Sequence, residues 1–430
     1  MMEFAASFGR RTFSSLSVRN YRLYFMGQGI SHCGNWMQTV GLGWLVLQLT
    51  GSGTALGTVL AFRFLPMFLL GAFAGSVVDR FDKRRILYVT QSGFALLALT
   101  LSVFVFTDVI QAWMLFIFAL LFGLFDVIDS PTRQTFVHEM VGPDNLHNAI
   151  ALNSTEANLA RAIGPLFAAA LIAGVGIAFC FFANALSFLG VIVILTLVRS
   201  GELHRESRTE ERSAHVLAGL RYAASVPTIR NILLAMAVIG TLSYEFQVSL
   251  PLFADLTFAS GASGYAALLS AMGAGSVLGG LFAASRKRVA LSQFVASAVL
   301  FGASIFLTAL SPSLPLALLG MVFVGFFSIS LTSAGNTLIQ LESAAHMRGG
   351  VMSLWSMALF GSTLIGAPII GFLGEYAGAR WSLIAGGIAA LLGGLYAALK
   401  LLEKDQWRFV PAIVRMRSFA ADVEEEKKLH

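Results

Sequence analysis

Hydrophobic residues fall in long runs along this chain, separated by short polar breaks. A helix needs about 20 mostly apolar residues to cross the hydrocarbon core of a bilayer. Twelve segments meet that length, over 21–49, 54–78, 86–107, 111–132, 148–173, 176–198, 230–256, 263–284, 289–310, 314–339, 350–374 and 381–402. The pattern predicts an all-α integral membrane protein of twelve transmembrane helices, numbered here as spans 1–12. The first run carries an anomaly. Its stretch "GQGISHCGNWMQTVGLGW" holds Gln28, His32, Asn35 and Gln38, and steps of 4, 3 and 3 put all four on about a third of the helix circumference. One stripe is polar and the rest is apolar, so the stripe must face something other than lipid.

Other spans carry similar stripes. Span 4 has Asp126 and Asp129 on one face, span 7 has Thr241, Tyr244 and Glu245, and span 10 has Ser328, Thr332, Asn336 and Gln340 at steps of four. Spans 3, 6, 9 and 12 are nearly all apolar apart from scattered Ser, Thr, Asn and Gln. The stripes read as walls of a wet cavity, with polar bonding between helices as the alternative for any single residue.

Composition supports the membrane reading. The chain is 57% hydrophobic and 12% charged, against roughly 25% charged in a soluble domain. The N-terminal stretch "MMEFAASFGRRTFSSLSVRNYR" lacks a short apolar core with a small-residue cleavage site, and reads as a basic, partly amphipathic lead-in rather than a signal peptide. Cys33 and Cys180 both lie in apolar runs and define neither a disulfide framework nor a metal site. No phosphate-binding loop or nucleophile–base spacing suggests an enzyme, and no cofactor is expected.

The net charge of +6 changes meaning once the charges are placed. Of 29 Lys and Arg, 26 fall on one side of the alternating spans, Arg380 alone falls on the other, and Arg63 and Arg161 lie within spans. By the positive-inside rule both termini are cytoplasmic, and the expected location is the bacterial inner membrane. The basic charge is therefore a topology signal, not a nucleic-acid patch.

One long polar interval, containing "GELHRESRTEERSAH", divides the spans six and six. The expected organisation is an N-terminal six-helix bundle over 1–199, a cytoplasmic linker over 200–228, a C-terminal bundle over 229–402 and a tail over 403–430. The halves echo each other: "GAFAG" matches "GSVLG" at an offset of 204, and "RAIGP" matches "LIGAP" at an offset of 203. Two landmarks with nearly one shift indicate a duplicated unit. The tail mixes aromatic and basic residues, which fits either an interfacial helix or a disordered segment.

After span 2 stands "GAFAGSVVDRFDKRR", and further on come "FDVIDSPTRQTFVHEMV", "NAIALNS", "RAIGPLFAA" and "NALSFL". With the six-plus-six spans, these residues resemble the major facilitator superfamily, in its bacterial exporter branch of enterobactin-exporter-like and macrolide-efflux-like proteins. The resemblance implies cavity-lining roles for spans 1, 4, 7 and 10 and lipid-facing roles for 3, 6, 9 and 12. It implies a cytoplasmic latch between halves at Gly71, Gly75, Asp79, Arg80, Lys83 and Arg84. The second half departs from the pattern, with Ala283 at the position 204 beyond Asp79. Arg161, Gly164 and Pro165 in span 5 partly match the Gly-Pro motif of superfamily exporters, although Ala160 stands where a glycine is expected.

Ionisable side chains within spans cost about 2.5–3.5 kcal/mol each on insertion scales, which makes the deep ones, Arg63, Asp126, Glu156, Arg161 and Glu245, functional candidates, with His32 as a titratable partner. Glu245, Asp126, His32 and Asp129 are the candidates for proton coupling. Glu245 is the deepest acid, with a structural pair to Arg63 or Arg161 as its alternative role. Asp129, near Pro131 and Arg133, reads as a cap or kink at the end of span 4. Gln28, Asn35, Gln38, Arg63, Tyr244, Thr332, Asn336 and Gln340 are the candidate cavity and substrate residues. The expected function is proton-coupled export of a small apolar or amphipathic compound, drug- or siderophore-like, by a monomer. An importer or uniporter of the same fold and a non-transporting sensor are the alternatives.

Overall fold

The structure is a computed structural model that describes residues 13–204, 216–286, 289–344 and 347–402, without the side chains at 72, 73, 75, 76, 79, 216–218, 360 and 402. Expectations about the N-terminal lead-in, most of the linker, Lys287, Arg288 and the tail fall outside these residues, as does the side chain of Asp79.

Every regular element among the described residues is helical. Among the described residues, ten helices are long and apolar enough to cross a membrane. One of them, Ala112–Gly174, has 63 residues, enough for two crossings, and holds spans 4 and 5. Arg19–Thr50 is span 1: its 32 residues suffice in length, but its polar stripe keeps it out of the ten. Counting it, and the two arms of Ala112–Gly174 separately, gives the twelve of the sequence pattern. The loop expected between spans 4 and 5 is helical instead, and the chain turns at Gly142, whose φ of 68° and ψ of 178° suit only glycine. His32 touches residues of both arms, so they run back beside each other.

Span 2 is Gly53–Arg80, span 3 Lys83–Phe106, span 6 Ala178–Leu197, span 8 Gly261–Ser285, span 9 Leu291–Ala309, span 10 Leu314–Glu342 and span 12 Ala379–Leu402. Ser52 starts span 2 by accepting from the Ala55 N–H, and Asp82 starts span 3 by accepting from the Arg85 N–H. Spans 7 and 11 are interrupted. Span 7 is Pro227–Ser243, a break at Tyr244 and Glu245, then Phe246–Leu252 and a wide π turn at Phe253–Thr257. Span 11 is Arg348–Ser356, a π turn at Met357–Gly361, then Thr363–Tyr376. Irregular backbone at membrane depth is tolerated only where protein or a cavity surrounds it.

Packing repeats with a shift of six spans. Span 2 packs on 4 as 8 packs on 10, span 3 on 6 as 9 on 12, and span 2 on 11 as 8 on 5. The closest approaches repeat too. A Cβ at Gly123 would collide with the Arg63 carbonyl, and one at Gly325, 202 positions on, with the Met272 carbonyl. Spans 3, 6, 9 and 12 turn large apolar side chains outward, among them Leu96, Phe106, Phe182, Leu307 and Leu392, as a lipid-facing ring requires.

The two ends of the molecule differ. At the end holding Gly51 and Gly378, here the far end, spans 2 and 11 meet backbone to backbone, Gly53 and Gly57 lying against Gly371 and Ala367. Glu375 fastens this end: its Oε2 accepts from Ser52 Oγ at 2.6 Å and from the Thr54 N–H at 2.9 Å. Toward the basic end the approach is looser: a Cβ at Gly361 would stand 3.9 Å from the Phe68 ring, an ordinary contact. At Gly71 a Cβ would meet, among the described residues, only Met67 of its own helix, so in this conformation no described residue of a second helix lies against it.

Candidate functional site

Two polar centres lie inside the helix bundle. The first lines a cavity of about 620 Å³ between spans 1, 4 and 5. Glu156 Oε1 stands 3.0 Å from His32 Nδ1, and His32 Nε2 stands 2.9 Å from an Arg133 terminal nitrogen. Arginine can only donate, so Nε2 must accept; the neutral imidazole then carries its proton on Nδ1 and donates it to Glu156. Arg133 Nε also lies 2.8 Å from Asp129 Oδ2, an ion-pair contact without hydrogen-bond alignment. Asp129 Oδ1 accepts from Thr90 Oγ1 at 2.6 Å and Gln91 Nε2 at 2.9 Å. The result is a continuous polar chain from span 5 through spans 1 and 4 to span 3.

This geometry corrects three expectations. Asp129 does not cap or kink the end of span 4, because the helix runs on through Pro131; it neutralises Arg133 instead. Arg133 is a cluster residue rather than a solvated topology marker. The polar stripe of span 1 divides: Gln28 and His32 line the cavity, whereas Asn184 of span 6 donates to Gln38 at 2.7 Å and to Asn35 at 3.3 Å. Gln38 is buried there, so this half of the stripe bonds helix to helix.

The second centre is a chamber of about 130 Å³ where the two halves meet, with Trp36, Phe64, Tyr244 and Phe246 in its wall. Two charged side chains face it. Glu245 precedes the short helix of span 7, takes a hydrogen bond from Thr363 and leaves Oε1 without a partner among the described residues. Arg161 lies over the Trp36 ring at 5.3 Å from its centroid, and among the described residues it has no ion pair or hydrogen bond. The expected pairing of Glu245 with Arg63 or Arg161 is absent among the described residues, because Arg63 binds Asp126 at 3.2 Å and Arg161 points elsewhere. Gly164, where a Cβ would come within 2.6 Å of the Trp36 Cβ, and the buried Pro165 press span 5 against span 1.

The remaining candidates scatter. Tyr244 donates to the Ser328 carbonyl at 3.2 Å, while Thr332 bonds back to its own helix. Asn336 and Gln340 bond each other, with Gln340 exposed at the basic end. Lys83 pairs with Glu139 at 2.7 Å and Arg84 bonds Ser200 at 2.6 Å, so both hold their own half together in this conformation. Glu156 was expected as a deep ionisable residue without an assigned role, whereas Arg133, Thr90, Gln91, Asn184 and Glu375 were not among the candidate site residues. Thr90 and Gln91 were hidden by the apolar character of span 3; adjacent polar residues one helical turn from a basic loop were the available sign.

The sequence matches the family described as Transmembrane secretion effector over residues 10–425. The chain belongs to that family, within the major facilitator superfamily. It is 25% identical over 384 residues to the multidrug efflux pump Tap of Mycolicibacterium fortuitum, covering 86% of this chain and 94% of that protein. It is 23% identical over 397 residues to the enterobactin exporter EntS of Shigella boydii, covering 91% and 94%. Among solved structures, a bacterial homolog of the human lysosomal transporter Spinster, inward-facing and occupied, shares the fold with a TM-score of 0.69 at 14% identity, covering 91% of this chain and 99% of that one. The chain is thus a multi-pass membrane transporter and not an enzyme.

Proposed function

We propose that this transporter is a proton-coupled exporter of the bacterial inner membrane, acting as a monomer on a small apolar or amphipathic compound of drug-like or siderophore-like character. The observation that carries this reading is the aromatic chamber at the junction of the halves, closed at the far end by Glu375 and the spans 2 and 11 contact, with the neighbouring cavity toward the basic end. Charge placement supports a cytoplasmic basic end and cytoplasmic termini. In that orientation the conformation is loaded from inside. Residues 1–199 and 229–402 would rock about the chamber, with 200–228 as the connecting linker and Asp79 joining the basic ends in the alternate state. The likeness to Tap, a multidrug efflux pump, and to EntS, an enterobactin exporter, supports the outward direction.

Proton carriage falls to the groups not already saturated. Asp126 is held by Arg63, and Asp129 by Arg133, Thr90 and Gln91. That leaves Glu245, with an open oxygen, and the His32–Glu156 pair, whose Glu156 Oε2 also lacks a partner among the described residues. The decisive experiment is reconstitution into liposomes with an imposed pH gradient, using substrates drawn from a susceptibility panel of deletion and overexpression strains. Uphill movement that collapses with the gradient supports the reading; flux indifferent to the gradient, or running only inward, removes it. Thiol labelling tests orientation: in a background without Cys33 and Cys180, Asp108→Cys should react with an impermeant reagent outside cells and His147→Cys should not.

A further inference from the structure

The chamber contains an unresolved charge problem. Among the described residues, Arg63, Arg133 and Arg161 lie inside the helix bundle. Arg63 has Asp126, and Arg133 has Asp129, His32 and Gln28. Arg161 has neither a carboxylate nor a carbonyl; among the described residues its one partner is the face of Trp36. A guanidinium at this depth is expensive unless an anion meets it, and a ring face returns only part of that cost. The backbone around it is fixed. A Cβ at Gly273 would stand 2.5 Å from Ala162 Cα and 2.9 Å from the Arg161 carbonyl carbon, so span 8 holds this stretch of span 5 in place. The side chain is therefore presented to the chamber rather than loosely parked there.

We infer that Arg161 is the recognition residue for an acidic group on the transported compound, so that the substrate class is an organic acid with an aromatic or otherwise flat apolar body. The inference deepens the exporter reading and rests on it for the word substrate, but not for binding. A planar guanidinium matches a carboxylate through two parallel hydrogen bonds, which a lysine ammonium cannot reproduce. The aromatic wall of Trp36, Phe64, Tyr244 and Phe246 suits the apolar body. Glu245 lines the same chamber, with Oε1 buried beside Gly366 and without a hydrogen-bond partner among the described residues. The same carboxylate could instead select a cation, and the test must separate the two.

Purified protein in detergent is titrated calorimetrically with three probes of one shape: 1-naphthoate, 1-naphthamide and (1-naphthylmethyl)trimethylammonium. The expected result is that the acid binds best, loses at least tenfold in affinity in Arg161→Met, recovers only partly in Arg161→Lys and changes little in Lys83→Met. A cation preference that disappears in Glu245→Gln and survives Arg161→Met would overturn the inference, as would naphthoate binding that ignores Arg161 or no binding by any probe. If the unliganded protein instead closes an Arg161–Glu245 pair, Arg161→Met and Glu245→Gln should lower the Tm alike and leave the acid's affinity unchanged, which also overturns it. Liposome flux distinguishes the parent reading. Arginine-dependent binding without flux in either direction would uphold the acid site and remove the exporter, whereas pH-driven efflux of cations alone would keep the exporter and remove the acid site.

Discussion

Glu375 is the single side chain whose removal should most cleanly change the conformation of the protein. Its carboxylate crosses from span 11 to the first turn of span 2, accepting from Ser52 Oγ at 2.6 Å and the Thr54 N–H at 2.9 Å. Ser52 is also the cap of span 2, accepting from the Ala55 N–H at 3.1 Å. Glu375 thus lies against the positive end of one helix while belonging to another, an arrangement that favours negative charge. Loss of a capping side chain costs about 1 kcal/mol, and charge-assisted hydrogen bonds are roughly twice as strong as neutral ones. Partial solvent exposure lowers the sum, so Glu375→Ala should weaken far-end closure by about 1–2 kcal/mol, a shift of roughly 5- to 30-fold in the conformational ratio. Spin labels at Gln48 and Ser263 would report this as a new long-distance population in pulsed electron–electron resonance. Glu375→Gln should fall between the two, because an amide oxygen can still accept. If Glu375→Ala leaves the distance distribution unchanged while the protein stays folded, the carboxylate does not hold the far end closed.

Other expectations follow from the same geometry. Gly57→Ala sets a methyl group against the Ala367 carbonyl, a backbone atom that cannot swing away, so it should favour far-end opening by about 1–3 kcal/mol in the same label experiment. Asp129→Asn leaves Arg133 without its charge partner in a buried site and should lower stability by about 3 kcal/mol, read as a reduced Tm in detergent; an unchanged Tm would argue against the cluster's structural weight. Glu245→Gln should abolish pH-driven uphill export while leaving substrate counterflow, and retention of uphill export would move proton carriage to His32 and Glu156.

The architecture was legible because apolar run length and charge placement follow directly from the bilayer as solvent, and every span found its helix. Two features misled. Pro131 and the polar residues after it suggested a helix end, yet Ala112–Gly174 continues and turns at Gly142, with His204 donating its N–H to the Glu139 carbonyl at that corner. The polar stripe on span 1 correctly marked a face, but periodicity names a face and not its neighbour. Asn35 and Gln38 meet Asn184, 149 and 146 residues away, while His32 meets Arg133 and Glu156 at separations of 101 and 124. Partnerships over such separations depend on which helices pack side by side, and no local pattern encodes that. Thr90 and Gln91 escaped notice for the same reason, since their role exists only through Asp129.

The two polar centres are separate in space but share two helices. Span 1 carries both His32 and Trp36, and span 5 carries both Glu156 and Arg161, so each centre is a contact between the same two spans, about one helical turn apart. The packing between them is tight. A Cβ at Gly29 would stand 3.4 Å from Glu156 Oε1, and one at Gly164 would stand 2.6 Å from the Trp36 Cβ. Spans 1 and 5 therefore cannot slide at one centre without moving at the other. A proton added at His32 Nε2 takes away the acceptor that Arg133 uses and sets two cations face to face. Arg133 then keeps Asp129 on its own helix and only the long 3.4 Å contact to Gln28 on span 1, which weakens the hold of span 4 on span 1 while His32 still holds Glu156 on span 5. A change of protonation in the cavity would in this way reach the pair of helices that presents Trp36 and Arg161 to the chamber. Coupling between proton and substrate then needs no direct contact between them, only a shared helix pair with two arrangements.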